Sequence, residues 1–235
     1  MKFQKFLAPI AAFQALKYTP MDPFQVKFDQ FLKSDQIKIL LVMGSAGTGK
    51  TLLSCQQAVH ELKTKKKQKI VISRPLVSVD KEEIGFLPGD MNEKLLPWTM
   101  PIFDHMGDFL ETSEIKRLVH ESKLEISPLG YMRGRTFKNS YIILDEAQNT
   151  TPTQMKMFLS RIGENSKMVV NGDLQQSDIK DGINGLEDFV LRIRSKYEEN
   201  KSEMYQDGFA IVDLGRKNTY RHPIIQKVVE IYDEN

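Results

Sequence analysis

The sequence predicts an α/β fold in which a single parallel sheet is flanked by helices. Short runs rich in Ile and Val alternate with longer helical patterns, as strands and crossover helices do in βαβ units. The first run leads into a glycine-rich loop at residues 44–51, and a later run ends in Asp145 and Glu146. Because parallel sheets bind ligands at the carboxyl ends of their strands, both features are expected at one edge.

Five apolar runs have the length and composition of buried parallel strands. They are Ile37–Met43, Ile70–Ser73, Tyr141–Leu144, Met168–Val170 and Phe209–Val212. The helical patterns are Thr51–Leu62, approximately Asn92–Leu110, Pro152–Ile162, Leu186–Lys196, and Pro223 to about Tyr232. Helices of this length between strands predict right-handed crossover connections.

We expect one domain at residues 21–235, preceded by an N-terminal arm at residues 1–20. Three prolines interrupt residues 86–107, so this segment is predicted to be an insertion of short helices and turns. It contains the only tryptophan, Trp98, which we assign to the core in preference to a base-stacking platform.

The 235-residue chain has a net charge of +2, and no stretch approaches the roughly 18 apolar residues that span a bilayer. No signal-peptide pattern develops after Met1, and the single cysteine, Cys55, excludes an internal disulfide framework. These features predict a soluble, cytoplasmic enzyme without a membrane partner. We interpret the lysine run at residues 63–69 as a solvated connection, so the charge permits a polyanionic partner without requiring one.

The glycine-rich loop matches G-x-x-x-x-G-K-[ST] in full and lies between an apolar strand and a helix. Its glycines let successive backbone N–H groups face phosphate oxygens, and the dipole of the next helix attracts anions. Lys50 is expected to reach the β- and γ-phosphates of ATP, and the Thr51 hydroxyl to ligate Mg²⁺. The predicted nucleotide-binding residues of this loop are Gly44, Ser45, Ala46, Gly47, Thr48, Gly49, Lys50 and Thr51.

Asp145 and Glu146 are expected to have different roles because adjacent side chains leave a strand in opposite directions. Asp145 is predicted to hold Mg²⁺, directly or through water, and Glu146 to polarise the attacking water as general base. A glutamate at this position favours hydrolysis over transfer to a bound small molecule. The alternative is that both carboxylates only cap the next helix.

A polar turn at residues 171–176 follows another apolar strand and is expected beside the glycine-rich loop. We predict that Gln176 senses the γ-phosphate and helps to place water, with Asp173 supporting the turn. The alternative is an ordinary turn built from Asn, Gly and Asp.

Several motifs together resemble the PhoH-like ATPases, over roughly residues 20–232. Besides the glycine-rich loop, the matching segments are Ser73-Arg74-Pro75, Gly85-Phe86-Leu87-Pro88-Gly89-Asp90, Tyr131-Met132-Arg133-Gly134-Arg135-Thr136, Leu144-Asp145-Glu146-Ala147-Gln148-Asn149, Gln154-Met155-Lys156-Met157-Phe158-Leu159, Gly172-Asp173 with Gln176, and Arg221-His222-Pro223.

The resemblance implies a RecA-like fold related to the motor domain of superfamily 1 helicases. It also implies an ATPase linked to RNA or single-stranded DNA, ring-shaped homo-oligomers such as hexamers, and a minimal, stand-alone form of the kind found in bacteria and their phages. Carried over by motif, Gln25 would read adenine, although Pro23 and Gln25 are spaced differently from the helicase pattern. Asn171 replaces the commoner threonine before Gly172-Asp173.

An arginine close to the γ-phosphate stabilises the charge that develops during phosphoryl transfer. The candidates are Arg74, Arg133, Arg135 and Arg221. Helicases place some of these arginines on a second motor domain, so we predict that a neighbouring subunit supplies Arg133 or Arg135 in trans. Arg221 is expected to act in cis, or else to balance charge at a sheet edge.

Three classes of function fit the sequence to different degrees. The first is an ATPase acting on RNA or single-stranded DNA, with Arg133, Arg135 and Lys138 beside Tyr131 and Phe137 as a strand-binding groove. That segment is equally compatible with a basic loop that has buried aromatics. The second class is a nucleotide-controlled assembly or binding module. The third is a small-molecule kinase resembling thymidine kinase, which usually carries a cysteine-based zinc site and a different P-loop.

Overall fold

The computed structural model describes residues 17–76, 91–179 and 182–215, together with Ile224 and Ile231. The helices of these ranges are α1 (Pro23–Lys33), α2 (Lys50–Lys63), α3 (Met91–Gly107), α4 (Thr112–His120), α5 (Pro152–Leu159), α6 (Gly185–Lys196) and α7 (Lys201–Gln206), with 3₁₀ turns at Leu129–Met132 and Ala147–Asn149. The strands are β1 (Ile39–Met43), β2 (Lys69–Arg74), β3 (Leu124–Pro128), β4 (Ser140–Leu144), β5 (Lys167–Gly172) and β6 (Phe209–Asp213). None of the described helices is both long and apolar enough to cross a bilayer.

These strands form one sheet in the order β3-β2-β4-β5-β1-β6, and every neighbouring pair is parallel. The predicted α/β fold with a single parallel, RecA-like sheet is therefore confirmed. β5 separates β1, which precedes the glycine-rich loop, from β4, which precedes Asp145. Since all three strands run in the same direction, their carboxyl ends meet at one edge of the sheet.

Helices cover both faces of the sheet, which explains why the central strands are apolar without alternation. All five residues of β1 are buried. Leu40 packs in the same cluster as Phe28 of α1 and Leu53 of α2. Its neighbour Leu41 belongs to the cluster on the opposite face, with Phe158 of α5.

β3 is a strand that no continuous apolar run in the sequence predicts. Its sequence is interrupted by Glu125 and Ser127, because an edge strand needs fewer apolar contacts than a central one. It is held by parallel pairing with β2, in which Ile126 lies opposite Ile72. α1, α4 and α7 are further elements that the strand-and-helix pattern does not predict.

Residues 91–107 form one helix, α3, which confirms the helical pattern predicted at approximately Asn92–Leu110. The prediction of short helices and turns is wrong for these residues. Ile102 and Met106 are fully buried in the core, and this burial stabilises the helix despite its prolines. Residues 86–90 and the side chain of Trp98 lie outside the described residues. In the helix predicted at residues 223–232, Ile224 and Ile231 are helical and the others lie outside the described residues.

α1 is fixed to the rest of the protein at both ends. At its start, the Asp22 carboxylate accepts hydrogen bonds from the N–H groups of Phe24 and Gln25. At its end, the buried Lys167 donates through Nζ to the carbonyl oxygens of Phe31 and Ser34, each at 2.7 Å. Burial lowers the pKa of Lys167 to about 8. The lysine thus satisfies helix-end carbonyls that the helix itself leaves without partners.

We expect Tyr141→Phe to leave stability unchanged or to raise the free energy of unfolding by up to about 1 kcal/mol. Tyr141 is fully buried in β4, burial raises its pKa, and its Oη has no hydrogen-bond partner among the described residues. As a control, Ile143→Ala, a fully buried apolar truncation, should cost about 2–5 kcal/mol. Urea unfolding at pH 7 measures both changes. A loss of more than about 1 kcal/mol in Tyr141→Phe would show that the hydroxyl is satisfied.

Candidate nucleotide site

The glycine-rich loop runs from the end of β1 into the first turn of α2, and its conformation requires glycine. Gly47 and Gly49 have φ angles of 85° and 86°, in the left-handed region that disfavours other residues. At Gly44 a Cβ would lie 3.0 Å from both Leu214 Cβ and Thr48 Oγ1. The backbone is therefore tightly curled, which is the geometry needed for N–H groups to surround a phosphate.

Lys50, the lysine of this loop, is folded back over the loop. Its Nζ donates to the carbonyl oxygens of Gly44 and Ser45 at 2.6 and 3.0 Å. The hydroxyl of Ser45 is buried and has no hydrogen-bond partner among the described residues. An anion between these groups would accept from Lys50 and bring an acceptor close to the Ser45 hydroxyl.

Thr51 and Asp145 meet across the site although 94 residues separate them in sequence. Thr51 Oγ1 donates to Asp145 Oδ1 at 2.8 Å, and Asp145 is buried. The backbone N–H of Asp145 donates to the carbonyl of Ser73 near the end of β2. This bond fixes the backbone position from which the Asp145 side chain extends. A hydroxyl and a carboxylate oxygen this close are hard donors of the kind Mg²⁺ prefers, so the residues fit this ion.

Glu146 departs from the strand in an unusual backbone conformation. Its φ and ψ are 55° and 41°, a left-handed combination that is strained for a residue with a side chain. The side chain is 44% exposed, and its Oε2 accepts a hydrogen bond from Gln148 Nε2 at 2.6 Å. The turn thus directs Glu146 away from the buried position of Asp145, as their predicted difference in role requires.

Gln148 is a site residue to which the sequence analysis assigned no role. Its amide oxygen accepts from the backbone N–H of Asp173 at 3.0 Å, and its Nε2 lies 3.3 Å from the carbonyl oxygen of Gln176. The bond to Glu146 and the bonds to residues 173–176 come from one side chain. A sequence signal existed, since Gln148 follows Glu146 by two positions, but its partners are visible only in the fold.

The turn at residues 171–176 lies beside the glycine-rich loop, as predicted, because the N–H of Gly44 donates to the carbonyl of Gly172 at 3.2 Å. The turn also contacts Gln148, the partner of Glu146. Gly172 permits the approach, because a Cβ there would clash with the side chains of Leu186 and Gln148. Asp173 is buried and accepts from the N–H of Gln175, so it supports the turn. The backbone of Gln176 contacts Gln148, whereas its side chain is exposed.

Arg74 is brought into the site by the pairing of β2 with β4. Its guanidinium lies 3.6 Å from Asp145 Oδ2 through Nε and 3.8 Å from Glu146 Oε1 through Nη2. The side chain is only 18% exposed. Of the three predicted arginines that lie within the described residues, Arg74 is the one that approaches both Asp145 and Glu146.

Gln25 lies next to the glycine-rich loop, at the start of α1. It is buried, its Nε2 donates to the carbonyl of Thr48 at 3.0 Å, and its Oε1 accepts from the N–H of Met21 at 2.8 Å. Gln25 is therefore hydrogen-bonded to the loop, although its spacing from Pro23 differs from the helicase pattern. Adenine recognition by Gln25 stays a prediction.

The other predicted arginines have different surroundings. Arg135 forms a two-armed ion pair with Glu125 near the start of β3, and its guanidinium lies 4.7 Å from the ring centroid of the buried Phe137. Arg133 is exposed in the segment after the 3₁₀ turn at Leu129–Met132. Arg221 lies outside the described residues. Arg135 is thus held by its own subunit, and Arg133 is the more accessible of the two trans candidates.

The curled loop, its lysine, and the threonine–aspartate contact at the edge of a parallel sheet define a P-loop nucleoside triphosphatase fold. The sequence profile of the PhoH-like proteins matches residues 17–233, so the chain belongs to the PhoH-like family. The predicted resemblance is confirmed.

Similar proteins come from several bacteria. A PhoH-like protein of Bacillus subtilis is 44% identical over 192 residues, covering 82% of this chain and 57% of the relative. A PhoH-like protein of Synechocystis is 37% identical, with 88% and 60% covered, and protein PhoH of Escherichia coli K12 is 39% identical, with 86% and 55% covered. The chain therefore spans little more than half the length of these relatives.

Solved structures are more distantly similar. The large terminase of a thermophilic bacteriophage has 14% identity and a TM-score of 0.47, covering 90% of this chain and 50% of the terminase. The Pif1 helicase of Candida albicans has 13% identity and a TM-score of 0.43, covering 92% and 44%. Similarity at this level carries no argument about activity, so the family assignment rests on sequence.

We expect Glu125→Gln to lower the free energy of unfolding by about 1–2 kcal/mol at pH 7, a value reduced for the partial exposure of the ion pair. Hydrogen bonding to Arg135, followed by that to Lys69, holds the pKa of Glu125 at about 2, below the ordinary 4.5. Stability from this carboxylate is therefore present above about pH 4.5 and lost as the pH falls towards 2.

Urea unfolding of wild type and Glu125→Gln from pH 7 down to pH 3 measures this effect, with the exposed Glu198→Gln as control. The difference between wild type and Glu125→Gln should shrink below about pH 4.5, while Glu198→Gln follows wild type throughout. A difference that is constant with pH would contradict a stabilising role for the charged pair.

Proposed function

We propose that this protein hydrolyses ATP in a Mg²⁺-dependent reaction, in the cytoplasm. The observation that carries the proposal is the contact between Thr51 and Asp145 beside Lys50, with Glu146 half-exposed next to them. This combination provides a phosphate cradle, two oxygen donors for a cation, and a carboxylate that water can reach.

Each residue would contribute a separate effect. The backbone of the loop and Lys50 bind and orient the β- and γ-phosphates, which places the reacting phosphorus. Thr51 and Asp145 would hold Mg²⁺, which when bound supplies positive charge to the phosphate oxygens. Glu146 accepts a proton from the attacking water, and Gln148 holds one oxygen of Glu146 in place.

Action on RNA or single-stranded DNA is a further part of the proposal. Tyr131 is 51% exposed, and Arg133 and Lys138 are exposed in the following segment. An aromatic ring near cationic side chains is the combination that binds unpaired bases and their phosphates. Phe137 is buried and Arg135 is paired with Glu125, so those two residues would support the loop.

A nucleotide-controlled assembly is the second candidate. Gln25 and Gln148 connect the P-loop and Glu146 to neighbouring segments, so nucleotide binding could change surfaces at a distance. In that case nucleic acid would have no effect on turnover. A small-molecule kinase would instead transfer the phosphoryl group to an acceptor. Release of inorganic phosphate distinguishes hydrolysis from such a transfer.

We expect ATP hydrolysis by wild type that single-stranded RNA or DNA stimulates, and a loss of about 100-fold or more in Glu146→Gln. Removing the base spares the phosphate cradle, so Glu146→Gln should still bind ATP, whereas Lys50→Ala should lose binding. Release of phosphate with and without each polymer measures turnover, and a fluorescent ATP analogue measures binding. Hydrolysis that neither polymer changes would favour the assembly, and the absence of hydrolysis would overturn the proposal.

We also expect a ring-shaped homo-oligomer in which Arg133 acts on the neighbouring site. Arg133→Ala and Glu146→Gln should each be inactive alone, yet mixing them should restore activity. A mixed ring pairs a subunit that has Glu146 with a neighbour that has Arg133. Phosphate release from mixtures, with sedimentation to establish the subunit number, measures this. Full activity of a monomeric wild type would contradict action in trans.

A further inference from the structure

Arg74 contacts both carboxylates at the end of β4 with different arms of its guanidinium. Nε lies 3.6 Å from Asp145 Oδ2, and Nη2 lies 3.8 Å from Glu146 Oε1. Arg74 is the last residue of β2, and the next strand in the sheet is β4, so the backbone sets this approach. One side chain thus relates the positions of two adjacent carboxylates.

Each of the four carboxylate oxygens faces a different polar atom. Asp145 Oδ1 accepts from Thr51 and Oδ2 faces Arg74, while Glu146 Oε1 faces Arg74 and Oε2 accepts from Gln148. Asp145 is buried and therefore constrained by packing, but the side chain of Glu146 is 44% exposed. Its orientation depends on the partners that hold its two oxygens.

The sheet order separates Arg74 from the phosphate cradle. β4 and β5 lie between β2 and β1, and neighbouring strands are about 4.8 Å apart, which places the two strand ends roughly 14 Å from each other. Asp145 lies between Arg74 and Thr51, since its Oδ2 faces Arg74 and its Oδ1 accepts from Thr51. The ion pairs of Arg74 with Asp145 and Glu146 therefore offer a route by which it can affect the reaction through these carboxylates.

We propose that Arg74 is a positioning residue that fixes Glu146 relative to Asp145, so that the general base faces the water that attacks the γ-phosphate. This inference rests on the proposed hydrolysis. Arg74 opposes the repulsion between the two neighbouring carboxylates and holds the Oε1 side of Glu146, while Gln148 holds the Oε2 side. The guanidinium suits this role because its charge is spread over separate nitrogens, two of which lie within ion-pair distance of different carboxylates.

The first test compares Arg74→Ala, Arg74→Lys and Arg117→Ala, the last being a control on α4 that pairs with Glu114 and Glu121. We expect kcat of Arg74→Ala to fall about 10- to 100-fold, with KM for ATP and the Kd of a non-hydrolysable ATP analogue changed less than about 3-fold. Arg74→Lys should recover part of kcat because it keeps the charge, and Arg117→Ala should match wild type.

The second test is a double-mutant cycle with Glu146→Gln, measured by single-turnover phosphate release. If Arg74 acts through Glu146, then Arg74→Ala causes no further loss in the Glu146→Gln background. A loss that multiplies with that of Glu146→Gln would show that Arg74 acts independently of Glu146, and would overturn its role in positioning the general base.

The outcomes separate this inference from the proposed function. If wild type hydrolyses ATP and Arg74→Ala has the same kcat, the inference alone is overturned. The same holds if Arg74→Ala loses ATP affinity, or if its melting temperature falls in proportion to its loss of rate. Absence of hydrolysis by wild type, with ATP still bound, overturns the proposed function and this inference with it.

Discussion

The pairing of β5 with both β1 and β4 is the constraint on which the nucleotide site depends. Met43 lies opposite Gly172, and Leu144 lies opposite Val170, so three loops leave the sheet at nearly the same level. Residues distant in sequence then come within hydrogen-bonding distance without any specific attraction between their loops. A shift of one residue in either register would move the carboxylates relative to the P-loop and exchange the side chains that pack on the two faces of the sheet.

Lys50, Thr51 and Glu146 each have polar partners inside the chain. Lys50 bonds to backbone carbonyls, Thr51 to Asp145, and Glu146 to Gln148. Nucleotide binding is consequently an exchange of partners, and its free energy is the difference between two sets of polar contacts. The same contacts keep the loop curled, which limits the reorganisation that a triphosphate would require.

The sequence predicts those parts of the fold and site that depend on residues close together in the chain. Continuous apolar runs identify the buried strands, and the P-loop pattern identifies the turn at Gly49 and Lys50. The apolar pattern does not predict β3 because Glu125 interrupts the strand. The partners of that carboxylate, Lys69 and Arg135, are visible only in the fold. The contacts of Arg74 and Gln148 arise from strand order, which no local pattern encodes.

α1 touches the P-loop at one end through Gln25 and Thr48, and is held at the other by Lys167. If the helix moved as a rigid body, a displacement of the Thr48 carbonyl would change the contacts of Lys167 at the other end. Release of the helix end would let water reach Lys167, whose pKa would then rise from about 8 towards its ordinary value. Lys167 would then take up protons from the buffer in this pH range. The heat of nucleotide binding measured by calorimetry would therefore vary with the buffer's heat of ionisation.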